Sequence, residues 1–296
     1  MDSILGLNLS RIISDGPNSH LNRTENAQPA IMAVSVLILR ILEDEYGFDT
    51  GSRVDVTLGH SLGEFSALVA AGYLKFADAL RLVRRRAEVM AKCTRHAVAQ
   101  SGETHGMVAL ICEPDHIESL LKTVHEFLGL ATSRFDDTSH ASAPIQRCNC
   151  VSLGGHDPRA VRLKSDSPFH SPVMSPAAEY MRNAIEGIDI TFPLNMPCIS
   201  NVSALPFRSK EDLKTLLSRQ CTDTVRWWDS IRYLHQERGV RRWIGIGPGK
   251  VGRNLVGKEV GRVDIKGGGV WAICNPREME DTFHDLEQTE SEVRAG

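Results

Sequence analysis

The spacing of apolar residues along the chain predicts most of its elements. Ile31, Val34, Leu37, Ile38, Ile41 and Leu42 recur at helical intervals between Asn22 and Gly47. This predicts a helix with Thr24 or Asn26 as its cap, Pro29 in its first turn and Gly47 as its stop. Val54 to Leu58 is a short apolar run that reads as a buried strand, and Glu64 to Ala71 as a helix stopped by Gly72. Phe76, Leu80, Val83, Ala87 and Met90 fall on one face of a further helix, Phe76 to Arg95. Strands are expected at Gly106 to Cys112, Cys148 to Leu153, Pro197 to Ser200 and Arg242 to Ile246. Helices are expected at Pro114 to Leu128, Met174 to Ile185, Ser209 to Gln220, Val225 to Arg238 and from Pro276 onward. Residues 131–144 read as a polar loop and 154–158 as a turn. Strands alternating with helices imply an α/β fold with a parallel sheet covered on both faces.

Composition narrows the function classes. The chain has 296 residues, 42% hydrophobic and 24% charged, which is enough to build a core. A formal charge of -3 argues against a general nucleic-acid binder. No wholly apolar run approaches the roughly 18 residues of a membrane span. The seven cysteines are odd in number, scattered and without a CxxC pair, so neither a disulfide framework nor a zinc site is expected. The N-terminal segment is too polar for a secretory signal, and no mitochondrial presequence is visible in it.

The chemistry is announced at one corner. Gly59-His60-Ser61-Leu62-Gly63 stands between the strand at Val54 and the helix at Glu64. A serine between glycines at a strand-to-helix corner is the pattern of a nucleophile elbow, with the Leu62 N–H placed to meet an oxyanion. Such a serine needs a base. Of the eleven histidines, His170 stands out, between Pro168 and Pro172 just before a helix, while His60 is expected to turn its ring away from Ser61. With Val83 at the middle of the buried helix face, Arg84 and Arg85 turn away to solvent, while Arg86 lies only about 60° off and can reach inward. Arg86 is then either a structural ion-pair partner or a carboxylate clamp. Gly247-Pro248-Gly249-Lys250 fails the Walker pattern and reads as a turn, as does Gly267-Gly268-Gly269.

These residues together resemble the malonyl-CoA:acyl carrier protein transacylases of fatty-acid synthesis. Gly59 to Glu64 matches the family's GHSLGE, and Ser167 to Ser171 its APFHS, with Ser for Ala. Asn26 to Ala30, Asn201-Val202, Val225 to Trp227 and Gly247 to Val251 match further landmarks in order, and the wording from Thr24 to Arg40 is similar to the fungal mitochondrial branch. The resemblance implies an α/β-hydrolase-like large subdomain, residues 1–104 and 165–296, with an inserted ferredoxin-like subdomain at 105–164. It implies Ser61 as nucleophile, His170 as acid/base, Leu62 as an oxyanion donor, and Arg86, Phe169, His60 and Gln28 as substrate-binding residues. Backbone carbonyls, rather than an aspartate, are expected to orient the histidine. The substrate would be malonyl-CoA and the partner the phosphopantetheine thiol of acyl carrier protein, with no cofactor, metal, nucleic acid or membrane. The enzyme would be a monomer of the mitochondrial matrix, or else cytoplasmic.

Two departures from the family are visible. No FPGQGSQ-like loop precedes Leu21, so one core strand and one oxyanion donor are expected to be lacking. Only about a dozen residues separate Leu153 from Ser167, too few for a helix and a strand, so the small subdomain is expected to be shortened. Two alternatives stay open. One is a thioesterase or esterase of GHSxG type, in which the order is serine, acid, then a late histidine. The other is a truncated, catalytically impaired family member.

Overall fold

Two long helices form the centre of the molecule because their apolar stripes face each other. The computed structural model describes residues 1–111, 116, 118–120, 122–123, 159–163, 165, 167–261 and 268–294. Three short helices open the chain, α1 (Asp2–Leu5), α2 (Leu9–Asp15) and α3 (Asn18–Leu21). The long α4 (Thr24–Tyr46) and the four-residue α5 (Thr50–Arg53) follow, then α6 (Gly63–Ala70) and α7 (Phe76–Ser101). α4 packs on α7 and α6, and α7 also packs on α8 (Ser175–Glu186). Met32, Phe65, Leu80, Val83, Met90 and Met181 meet there and are fully buried. By length and composition α4 could cross a membrane, but 56% of that stretch is buried inside the protein, as in a core helix.

α7 runs six residues past the predicted Arg95, because Ala97, Ala99 and Gln100 favour helix and Gly102 ends it in the left-handed conformation, at φ 71°. α4 departs from expectation at its start. Its N-cap is Arg23, with no side-chain cap, and Pro29 is the sixth helical residue rather than part of the first turn. Proline has no N–H, so the Glu25 carbonyl loses its intrahelical donor. Arg84 supplies one instead: its Nη1 donates to Glu25 O at 2.7 Å and to Asn26 Oδ1 at 2.9 Å, while its Nε donates to Glu88 at 2.7 Å. Arg84 is therefore a largely buried staple between α4 and α7, not the solvated residue expected. Arg84→Ala should cost about 2 kcal/mol by orphaning that carbonyl, and Arg84→Lys should recover only part of it. Urea denaturation of the three chains measures this.

The second half builds the sheet. After a 3₁₀ turn at Pro172–Met174 and α8 come α9 (Lys210–Arg219), capped by Ser209, and α10 (Trp227–Arg232). α10 runs into a π turn at Tyr233–Glu237. The small antiparallel pair is β1 (Val108–Ile111) with β2 (Arg159–Arg162). The parallel pair is β3 (Arg242–Ile246) with β4 (Gly269–Ile273), separated by α11 (Val251–Val260) and followed by α12 (Pro276–Arg294). Side chains alternate across the parallel pair. Trp243 and Val270 pack towards Trp227, Ile231 and Val256. Ile244, Ile246 and Ile273 pack towards Ile38 and Leu42 of α4 and Met279 of α12. The pair is thus covered on both faces, as an α/β fold requires.

The expected strands at Val54 to Leu58 and Pro197 to Ser200 do meet, in parallel, but through a single bridge, Thr57 with Cys198. Thr57 N donates to Pro197 O and Ile199 N to Thr57 O, both at 3.0 Å. Pro197 has no N–H to extend the ladder, and both segments then leave it to build the corner described next. Residues 267–269 were expected to be a turn, yet Gly269 begins β4. The helix expected over 114–128 is described only in part, and the loop over 131–144, the strand over 148–153 and the turn over 154–158 lie outside the described residues.

Candidate active site

Ser61 sits at φ 50°, a left-handed conformation that a residue with a Cβ adopts only when its surroundings hold it there. Asn201 is what holds it. The Ser61 N–H donates to Asn201 Oδ1 at 2.6 Å, and Asn201 Nδ2 donates to Gly59 O at 2.7 Å, so one buried amide clamps both sides of the corner. The two motif glycines differ. A Cβ on Gly59 would lie 2.0 Å from the Gly63 carbonyl oxygen, whereas one on Gly63 would meet nothing within 4 Å. α6 begins directly after the corner and turns its positive end towards it. No described residue accepts a hydrogen bond from the Leu62 N–H, the first free amide after the serine.

His170 faces the serine. Its Nε2 lies 2.6 Å from Ser61 Oγ and its Nδ1 lies 2.8 Å from the Gln220 carbonyl oxygen. A carbonyl only accepts, so Nδ1 carries the proton and Nε2 turns its lone pair to the hydroxyl. His170 is also left-handed, at φ 56°, within a loop braced by Ser171 Oγ donating to Pro168 O at 2.6 Å. Burial, with the Arg86 charge and His60 adding to it, pushes the imidazole pKa down to about 3, so the ring is a neutral base at pH 7.

Arg86 is only 1% exposed and is among the largest fully buried side chains of the described residues. Its Nη1 donates to Gln28 Oε1 at 2.5 Å and its Nη2 to Gln220 Oε1 at 2.8 Å. Its Nε–H is buried without an acceptor, and the guanidinium carbon lies 5.5 Å from the centre of the Phe65 ring. The structure therefore brings Ser61, His170, Arg86 and Gln28 together through Gln220. Phe169 is half-buried beside His170 and packs on the main core. His60 turns its ring against Trp227, edge to face at 5.4 Å, and burial lowers its pKa to about 4. Among the described residues no group of three or more His, Cys, Asp or Glu side chains could hold a metal ion.

Three residues escaped the sequence reading as contributors: Asn201, Gln220 and Glu64. Asn201 stood in a recognised landmark, but without a role. Gln220 orients the histidine through its main-chain carbonyl, which no side-chain pattern reveals. Glu64 is fully buried, and burial raises its pKa to about 7, against the lowering effect of hydrogen bonds from Asn201 and Gln220 and of the Arg86 charge.

These shifts set an acid limit on stability. Unfolding takes up protons at His60 and His170 below about pH 6.5, down to about pH 4 and about pH 3 respectively. It releases one from Glu64 between about pH 7 and 4.5. Each net proton taken up lowers stability by about 1.4 kcal/mol per pH unit as the pH falls. The Glu64 offset ends near pH 4.5 and the His60 uptake near pH 4, so the urea midpoint should fall most steeply between about pH 4.5 and pH 4. His170→Asn should flatten this lower limb.

The geometry is that of serine acyl transfer, and comparison with known proteins agrees. The acyl transferase domain family matches residues 1–126. The malonyl CoA-acyl carrier protein transacylase of Bacillus subtilis (strain 168) is 35% identical over 293 residues, 97% of this chain and 87% of the relative. The chain belongs to the acyl transferase family of the malonyl-CoA:acyl carrier protein transacylases. Among solved transacylases, the acyl-carrier-protein S-malonyltransferase of Bartonella henselae superposes with a TM-score of 0.72 at 29% identity, covering 97% of this chain and 88% of that one. A malonyl-transacylase in complex with its type II PKS acyl-carrier protein gives 0.69 at 25% identity, covering 96% and 88%. The histidine that meets Ser61 here lies mid-chain and is held by a backbone carbonyl, the arrangement that the resemblance implies. The order of serine, acid and late histidine expected of a GHSxG esterase is not the one that meets Ser61 here.

Proposed function

We propose that this chain transfers a malonyl group from malonyl-CoA to the phosphopantetheine thiol of an acyl carrier protein, in fatty-acid or polyketide synthesis. The observation that carries the substrate choice is Arg86, a buried cation tied by Gln220 to the serine–histidine pair. A guanidinium suits a free carboxylate, which malonyl has and acetyl lacks. His170 takes the Ser61 proton as Oγ bonds to the thioester carbon, and the Leu62 N–H receives the developing oxyanion. The C–S bond breaks, and the CoA thiolate takes the proton from His170. The carrier thiol then gives its proton to His170 and attacks the malonyl-serine ester, which returns Ser61 to its starting form. A neutral histidine with a carbonyl partner fits both directions, since it need only lend and reclaim one proton.

The test adds carrier protein bearing phosphopantetheine to the malonyl-loaded enzyme and weighs the carrier. Gain of one malonyl group is expected. CoA release that is as fast without carrier as with it would point to a thioesterase instead. We also place the enzyme in the mitochondrial matrix, on the wording from Thr24 to Arg40. Imaging a tagged full-length product beside a matrix marker tests this, and a cytosolic signal would overturn it.

A further inference from the structure

Glu64 lies three residues after the nucleophile, fully buried, and the acyl-transfer steps above leave it without a task. Its carboxylate accepts two hydrogen bonds, Oε1 from the Asn201 N–H at 2.9 Å and Oε2 from Gln220 Nε2 at 2.5 Å. The other Nε2 hydrogen of Gln220 goes to the Ser61 carbonyl at 2.7 Å. Both donors of that amide are thereby committed to acceptors, and its oxygen is left facing Arg86. Reversing the amide would set oxygen against two acceptors and NH₂ against a guanidinium.

We propose that Glu64 is a positioning residue, which fixes the Gln220 amide between itself and Arg86 and so keeps the guanidinium aimed and unneutralised for a substrate carboxylate. The inference rests on the malonyl reading of the site. The intervening amide matters as much as the charge. A carboxylate in direct contact with Arg86 would occupy the donors that a malonyl group needs. Held one amide away, Glu64 balances a buried cation without consuming its hydrogen bonds. The two amide oxygens of Gln28 and Gln220 take one hydrogen from each amino nitrogen. The second hydrogen on each, and the buried Nε–H, are not used by them.

Glu64→Gln separates this role from simple packing. Its single oxygen can serve the Asn201 N–H or the Gln220 amide, but not both. Turned to the Asn201 N–H, it sets its own NH₂ against Gln220 Nε2, which unseats Gln220 and lets Arg86 drift. Acetyl-CoA makes no use of Arg86, so loss of aim should fall on malonyl-CoA alone. At pH 8, above the Glu64 pKa of about 7, the malonyl-to-acetyl ratio of kcat/KM should drop about tenfold or more in Glu64→Gln, mostly through KM for malonyl-CoA. Gln220→Met, which keeps the main-chain carbonyl on His170, should lower the same ratio and serves if Glu64→Gln does not fold. Equal losses for both substrates, or an unchanged ratio in either folded variant, would overturn the proposal. A parent enzyme with no preference for malonyl-CoA would instead sink the malonyl reading, and this inference with it.

Discussion

His170→Ala should slow acylation of Ser61 about a thousandfold while leaving the fold intact. The imidazole is the group at hydrogen-bond distance from Ser61 Oγ, and burial keeps it unprotonated at neutral pH. Without it the hydroxyl must lose its proton to water, while in the proposed mechanism the Leu62 N–H and Arg86 still hold substrate. The loss should therefore appear in kcat, with KM for malonyl-CoA nearly unchanged. Rapid-quench measurement of malonyl-enzyme formation, with a thermal melt beside it, tests this. A variant that acylates within tenfold of the parent rate would remove His170 from the mechanism.

Gly59→Ala should cost more than about 3 kcal/mol of stability or, if the chain still folds, displace the elbow and abolish acylation. The new Cβ would fall 2.0 Å from Gly63 O, 2.1 Å from Gly63 C and 2.7 Å from Glu64 N, all of them backbone atoms. They move only if the first turn of α6 moves, and that turn carries both the Leu62 N–H and Glu64. Gly63→Ala is the control within the same motif. It meets nothing within 4 Å and begins a helix, so stability should hold or rise slightly. Equal behaviour of the two variants in urea denaturation and acylation would contradict this reading of the corner.

The meeting of Ser61 and His170 was legible because each residue is marked locally. Ser61 has glycines on both sides at the junction of an apolar run and a helical pattern, and His170 stands between prolines. Arg86 was legible from the wheel of α7, whose buried face it shares. Other features depend on distant partners. The burial of Arg84 follows from Pro29, over fifty residues away, and no pattern on α7 alone shows it. The roles of Asn201 and Gln220 lie in hydrogen bonds to backbone groups of the elbow, across long stretches of chain. The strands at Val54 and Pro197 were visible as apolar runs. Their reduction to one bridge was not, since pairing depends on which N–H groups remain once Pro197 and the corner have been placed. β4 was missed because a glycine triplet reads as a turn even when its last member opens a short buried strand.

The central claim is that Ser61, activated by His170, carries the malonyl group. The direct measurement is the intact mass of the protein after brief exposure to malonyl-CoA, with Ser61→Ala treated alongside. The account predicts one malonyl adduct on the parent and none on the variant. An adduct on both chains, or none on a folded parent, would contradict it.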